Sequence, residues 1–179
     1  MKISLSSGAV WITGITASGK TTLAKQLYSD LRNTGWKHVE LIDGDSLRKK
    51  LDKQYGHSMK DRFVLLRILT KLIKKSSEKG NIVIISAVGH KKEMRDFVRS
   101  EISHFMEVYL DCPANVCAER DYKGLYQKAL TGDYELFPGV TEPYEMSEKP
   151  ELVLLTAQMS IHECSKILLQ AVIDQFCLR

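Results

Sequence analysis

Residues 14–21 read Gly-Ile-Thr-Ala-Ser-Gly-Lys-Thr and fill every position of the G-x-x-x-x-G-K-[ST] pattern. The flanks constrain the chain further: Val10–Thr13 is an apolar run of strand length, and Thr22–Leu31 repeats apolar residues at helical spacing. A strand that turns through glycines into a helix points backbone N–H groups and the positive end of the helix dipole at one spot. That spot is an anion site. Gly14 and Gly19 let the backbone curl around phosphate oxygens without a Cβ clash, and Lys20 supplies a mobile charge for β- and γ-phosphates. The Thr21 hydroxyl is a ligand for magnesium, so the motif calls for ATP and Mg2+.

Around this motif, apolar runs alternate with longer stretches of helical periodicity. The runs predict strands over Ala9–Thr13, Val39–Ile42, Ile82–Ala87, Phe105–Leu110 and Leu152–Leu155, all apolar enough to be buried on both faces. Helices are predicted over Lys20–Asn33, Asp45–Leu51, Ser58–Lys79, Lys91–Ser100, Ala114–Arg120 and Ser160–Phe176, with Gly35 and Gly80 as left-handed stops after two of them. The expected fold is α/β, a three-layer α/β/α P-loop NTPase fold with a central, mostly parallel five-stranded sheet and a lid. At 179 residues, 44% of them hydrophobic, a single domain over 1–179 can bury its own core. Residues 121–150 break the pattern, with three glycines and three prolines among tyrosines and charges. A loop of that length in a kinase is expected to be an active-site lid.

Asp43-Gly44-Asp45 follows the second strand directly. In an open α/β sheet the carboxyl ends of strands face the ligand crevice, so both acids should share a cleft with the phosphate loop. Asp43 is then placed to hold magnesium with Thr21, and Asp45 to accept a hydrogen bond from an attacking hydroxyl and orient it. With Lys20 these are the candidate catalytic residues. A simpler reading makes Gly44 the left-handed residue of a β-turn and Asp45 the N-cap of the next helix.

The formal net charge of +4 is spread among mixed signs rather than massed in a tract, which argues against a nucleic-acid partner. No apolar run approaches the ~18 residues of a membrane span, and the N-terminus carries no leader-like segment. Cys112, Cys117, Cys164 and Cys177 have no spacing that closes a zinc site and are expected to be reduced, which suggests a cytoplasmic location. His38, His90, His104 and His162 lack a partner at metal-ligand spacing and read as loop or helix-surface residues.

The phosphate loop, Leu41-Ile42-Asp43-Gly44-Asp45-Ser46-Leu47-Arg48, Gly56-His57-Ser58 with Asp61-Arg62, and the run Arg120-Asp121-Tyr122-Lys123-Gly124-Leu125-Tyr126-Gln127-Lys128-Ala129 occur in that order. Phe137-Pro138-Gly139-Val140, Tyr144-Glu145 and Pro150-Glu151 follow. Together these segments resemble the adenylyl-sulfate kinases. The resemblance implies transfer of the γ-phosphate of ATP to the 3′-hydroxyl of a small nucleotide, adenylyl sulfate, in sulfate assimilation. It assigns ATP phosphates and magnesium to Gly14 through Thr22, including Thr16, Ala17, Ser18 and Thr22. Acceptor contacts fall on Asp45, Arg48, Arg62, Lys123 and Leu125, with Phe137 as one wall of a stack around the acceptor base. Fold analogy puts the adenine of ATP near Arg120 and the loop that begins at Thr156. The family precedent for assembly is a homodimer.

The pattern departs from the family at three places. His57 stands where the family stacks a phenylalanine on the adenine, Leu65 where it has an asparagine, and Gly89-His90 where it has a Ser-Pro pair. An imidazole can stack and a leucine can pack, so nucleotide binding is expected to survive, while base preference can shift. Relatives that phosphorylate a cytidine diphosphate carrying a phosphoramidate make that acceptor the second reading. A non-nucleotide alcohol is the third, and a silent nucleotide-binding module is disfavoured by Lys20, Thr21, Asp43 and Asp45.

Overall fold

The computed structural model describes residues 5–51, 55–134 and 136–178. β1 (Gly8–Thr13) leads into α1 (Lys20–Asn33), followed by β2 (Val39–Asp43), α2 (Gly44–Lys50), α3 (Met59–Ser77) and β3 (Ile82–Ser86). Then come α4 (Lys92–Glu101), β4 (Phe105–Asp111), α5 (Ala114–Glu119), α6 (Leu125–Leu130), β5 (Leu152–Leu155) and α7 (Ile161–Phe176). The five strands lie in the order β2-β3-β1-β4-β5, and every pairing is parallel. After β1 the chain crosses to one side of the sheet, and after β3 to the other. The carboxyl end of β1 therefore sits at the reversal, where open α/β sheets leave a crevice.

Strand alternation builds two apolar layers. Val10 and Ile12 of β1 face α1 and α7, meeting Leu23, Leu27, Leu31, Leu168, Val172 and Phe176. Ala9 and Trp11 face α3 and α4, meeting Leu66, Leu69, Ile73, Met94 and Val98. Double-sided burial, expected of all five strands, holds for β1, β3 and β4, apart from the half-buried terminal Asp111. It fails for β2 and β5, which are the sheet edges: Glu40 is exposed, and Val153 and Leu155 retain 47% and 40% exposure. An edge strand has a covering neighbour on one side only, which periodicity does not reveal.

Gly35 and Gly80 take the left-handed conformation past α1 and α3, at φ 90° and 85°. The acidic turn differs from the simpler expectation. Asp43 is the N-cap of α2, accepting the Ser46 N–H at 2.9 Å, and Gly44 is its first helical residue, with Asp45 in the first turn. At the other end of the chain Ser160 and Glu163 form a capping box on α7. Ser160→Ala is expected to cost about 1 kcal/mol and to lower Tm by ~2–4 °C in scanning calorimetry. An unchanged Tm would show the box to be dispensable.

Among the described residues of 121–150 there is one short helix, α6, and the rest is irregular apart from a bridge between Pro138 and Glu142. Their return to the sheet is tied by a buried pair: Arg95 Nε lies 3.2 Å from Glu107 Oε1, with side chains 3% and 5% exposed. Arg95 also donates to the Gly89 and Glu145 carbonyls, both at 2.6 Å, and Glu151 accepts from Arg99 and from the Glu107 N–H. Among the described residues no helix is long and apolar enough to cross a membrane.

Candidate active site

The phosphate loop closes as its sequence requires. Gly14 has φ 143°, and a Cβ there would sit 2.8 Å from the Leu110 carbonyl and 2.9 Å from Ser18 Oγ. Ala17 and Gly19 are also left-handed, at φ 62° and 102°, which turns successive N–H groups inward. Gly19 is the N-cap of α1 and brings no side-chain cap, and the first turn carries no acid, so the positive helix end stays open to an anion. The Ser18 hydroxyl is buried inside the loop with no partner among the described residues. Lys20 folds back to donate to the Ile15 carbonyl at 2.6 Å. Burial pulls its amine down to about 8, against the opposing pull of Asp45, Cys117 and Asp43. A cation so desolvated beside open N–H groups is set to gain from a polyphosphate.

β2 ends at Asp43, in register with Ser86 of β3, and so carries the acid to the same crevice. Thr21 Oγ1 donates to Asp43 Oδ2 at 3.1 Å and lies 3.1 Å from Ser86 Oγ. The other Asp43 oxygen is held by the Ser46 N–H. Burial would raise the Asp43 carboxyl, but the Ser46 and Thr21 hydrogen bonds outweigh it and hold the carboxyl below its ordinary value. One carboxylate and two hydroxyls form a hard-oxygen donor set, which fits magnesium. Asp45 and Arg48, one turn apart on α2, line the same cleft.

The far wall comes from α3 and from 121–150. Arg62 Nε donates to the His57 carbonyl at 2.9 Å and Nη2 to the Leu136 carbonyl at 3.0 Å, bridging the two segments. His57 meets the edge of Tyr134 at 5.7 Å, and Tyr134 lies 5.7 Å from Phe137, so the aromatics form one continuous wall. Burial, then the Arg48 and Arg62 charges, lowers the His57 imidazole below its usual value. Across the loop, Tyr126 of α6 donates its hydroxyl to the Thr16 carbonyl at 2.9 Å, which seats α6 over the phosphate site. Asp121 accepts the Lys123 and Tyr126 N–H groups and shapes that turn. On the α7 side, Arg120 donates to the Thr156 carbonyl at 2.9 Å, and Thr156 Oγ1 donates to the Ser18 carbonyl at 3.0 Å.

The result is a single cleft of about 1060 Å³. It is lined by Thr16, Ala17, Ser18, Gly19, Lys20, Thr21, Thr22, Asp43, Asp45, Arg48, His57, Arg62, Leu65, Arg120, Lys123, Leu125, Phe137 and Thr156. Of the sequence-predicted site residues only Gly14 stays behind the wall, where its lack of a side chain matters. Lys20, Lys25, Arg48, Arg62, Arg120 and Lys123 outnumber Asp43, Asp45 and Asp121 along the lining, so the cleft favours anions. A volume at the top of the ~300–1,000 Å³ of single-ligand sites leaves room for a donor and an acceptor.

Sequence reasoning passed over Ser86 and Tyr134. Ser86 obeys the strand-end rule that found Asp43, but its hydroxyl is inconspicuous in an apolar run. Tyr134 carried no signal. His90, read as a loop or surface residue, is fully buried instead and lines the cleft. Gly89, just before it, turns left-handed at φ 52° so close to Trp11 that a Cβ would lie 2.6 Å from the indole, a local geometry that helical or strand periodicity does not signal.

A family model described as Adenylylsulphate kinase matches residues 6–155. An adenylyl-sulfate kinase of Synechococcus sp. (strain JA-3-3Ab) is 40% identical over 162 residues, covering 90% of this chain and 92% of that protein. A probable adenylyl-sulfate kinase of Archaeoglobus fulgidus is 42% identical over 150 residues, covering 84% and 96%. Among solved structures, the Mycobacterium tuberculosis APS kinase CysC in complex with AMPPNP and APS superposes with a TM-score of 0.87 at 32% identity, covering 94% of this chain and 99% of that one.

Proposed function

This chain belongs to the adenylylsulphate kinase family, and on that premise we propose that it transfers the γ-phosphate of ATP to the ribose 3′-hydroxyl of adenylyl sulfate, releasing ADP. The observation that carries the reading is the convergence of Lys20, the Thr21–Asp43 pair and Asp45 on one cleft whose cationic lining continues through Arg48 and Arg62. The open amides of the loop and the Ser18 hydroxyl bind the triphosphate, Lys20 exchanges the Ile15 carbonyl for phosphate oxygens, and Arg120 and Thr156 flank the adenine of ATP. Thr21 and Asp43 would hold magnesium, which would supply positive charge to offset that of the transferring phosphate.

Across the cleft, Asp45 accepts a hydrogen bond from the 3′-hydroxyl and turns its oxygen toward the γ-phosphate. Arg48, Arg62 and Lys123 hold the acceptor's anionic groups, while His57, Phe137, Leu65 and Leu125 enclose its base. Tyr126, joining α6 to the Thr16 carbonyl, helps exclude water once 121–150 closes over both ligands. The chain is proposed to work as a cytoplasmic homodimer, and sedimentation of the purified protein tests the assembly. A cytidine diphosphate-linked acceptor is the second reading, because the buried Leu65 side chain offers a base edge no hydrogen bond and so leaves base preference open to change. A coupled ADP-release assay over adenylyl sulfate, cytidine diphosphate derivatives, simple alcohols and no acceptor decides among these. Magnesium-dependent turnover fastest with adenylyl sulfate is the expected result. Turnover confined to another acceptor, or none at all, would overturn it.

A further inference from the structure

His90 is the one described histidine that is fully buried, and neither of its ring nitrogens has a partner among the described residues. Buried polar groups without partners are rare, and each one calls for a reason such as strain, a functional role or an ordered water or ion. Here the residue borders the cleft, with both ring nitrogens closed off from solvent until a ligand or a shift of the wall reaches them. Its backbone is preset on both sides, by the left-handed Gly89 turn against Trp11 and by the Glu145 N–H, which donates to the His90 carbonyl at 2.9 Å.

The surroundings say which part of a ligand belongs there. Arg62, whose charge acts on His90, bridges the carbonyls of His57 and of Leu136, the neighbour of Phe137, and so ties this charge to the aromatic wall of the same cleft. Trp11, Leu65, Leu66 and Met94 add an apolar lining. Such a lining suits a flat uncharged ring, while anions are served by Arg48, Arg62 and Lys123. Neither Leu65 nor Phe137 can hydrogen-bond a base edge. Burial, then Arg62 and Lys91, pushes the His90 imidazole down to about 4, against Glu142 and Glu145. It is therefore neutral at pH 7, and it offers direction rather than charge.

We propose that His90 is a specificity-determining residue of the acceptor pocket, one ring nitrogen of which hydrogen-bonds the polar edge of the acceptor nucleotide's base. This rests on the kinase reading above and deepens it: the acceptor is recognised by a base edge carrying ring nitrogen and amino groups, in addition to its anions.

The test uses the full chain and measures binding of adenylyl sulfate, AMP, CMP and ATP by titration calorimetry, in the wild type and in His90→Phe, His90→Ala and His90→Asn. Loss of one neutral hydrogen bond should weaken the preferred acceptor about 10-fold in His90→Phe and His90→Ala. ATP affinity should stay within about twofold. His90→Asn, which keeps a donor and an acceptor, should recover part of the loss, and the wild-type preference between AMP and CMP should shrink in His90→Phe. A merely structural role would move ATP and acceptor affinity together. Unchanged acceptor affinity and base preference in all three variants would overturn the inference, and if His90→Phe does not fold, His90→Ala and His90→Asn decide it. A wild type that binds these acceptors yet fails to phosphorylate adenylyl sulfate overturns the kinase reading alone, and one that binds none of the acceptors overturns both.

Discussion

Lys20→Met should lower kcat by about 10²–10³-fold, the scale on which removal of one preorganised charge or donor from a transition state is felt. The folded protein should nevertheless be no less stable than the parent at pH 7. The two halves have one cause. Lys20 is a buried cation that donates to the Ile15 carbonyl, and desolvation depresses its amine from 10.5 to about 8. Below pH 8 both the folded and the unfolded chain hold the proton, and the folded chain bears the full cost of burying it. Between about 8 and 10.5 the folded chain releases the proton first, so the unfolded state binds more protons and stability rises with pH. At ~1.4 kcal/mol per unit the cost is on the order of 3 kcal/mol, offset in the variant by about 1 kcal/mol for the carbonyl left unpaired. Chemical denaturation at pH 7 and pH 9.5 should show the slope in the wild type and its loss in Lys20→Met. In kinetics, kcat/KM for ATP should fall above about pH 8, where the free enzyme loses the charge. A Lys20→Met enzyme within a few-fold of wild-type kcat would remove the phosphate site from the account.

Asp45→Asn should cut kcat by about 10²–10³-fold while the KM for ATP changes less than about threefold, because the proposed role of the side chain is on the acceptor hydroxyl and not on the triphosphate. The substitution keeps the size and the position in the first turn of α2, so the fold should be undisturbed. A second readout follows from the electrostatics. The Asp45 carboxylate supports the protonated form of Lys20, so its removal should move the alkaline limb of kcat/KM for ATP to lower pH. If KM for ATP rises in step with the loss of kcat, Asp45 belongs to the donor side. If kcat is unchanged, orientation of the acceptor lies elsewhere.

The phosphate loop was legible in the sequence because every part of it is local. Gly14, Gly19, Lys20 and Thr21 act through backbone conformation and reach within one strand–turn–helix unit, and periodicity of the flanks is enough to orient it. Asp43 was legible for a related reason: strand ends in a parallel sheet share one edge, whatever the strand order. The helix boundary beside it was less so, since Asp43 serves both as last strand residue and as N-cap. Arg95 shows the opposite case. In the sequence it is one basic residue near Lys91 and Lys92, yet it is buried against Glu107 and organises the return of 121–150, while Lys91 pairs with Glu142 nearer the surface. Nothing in the spacing of Arg95 and Glu107 announces that pairing.

The chain on its own specified a parallel α/β sheet, an anion cradle and the acids beside it, because these follow from period, glycine placement and strand polarity over short stretches. Folding alone determined which strands became edges, that Tyr134 joins His57 to Phe137, and that His90 is buried beside the cleft. Those outcomes depend on the packing of segments remote in sequence, Trp11 under Gly89 and Arg62 between α3 and Leu136, and contacts of that kind leave no periodic trace in the residues that make them.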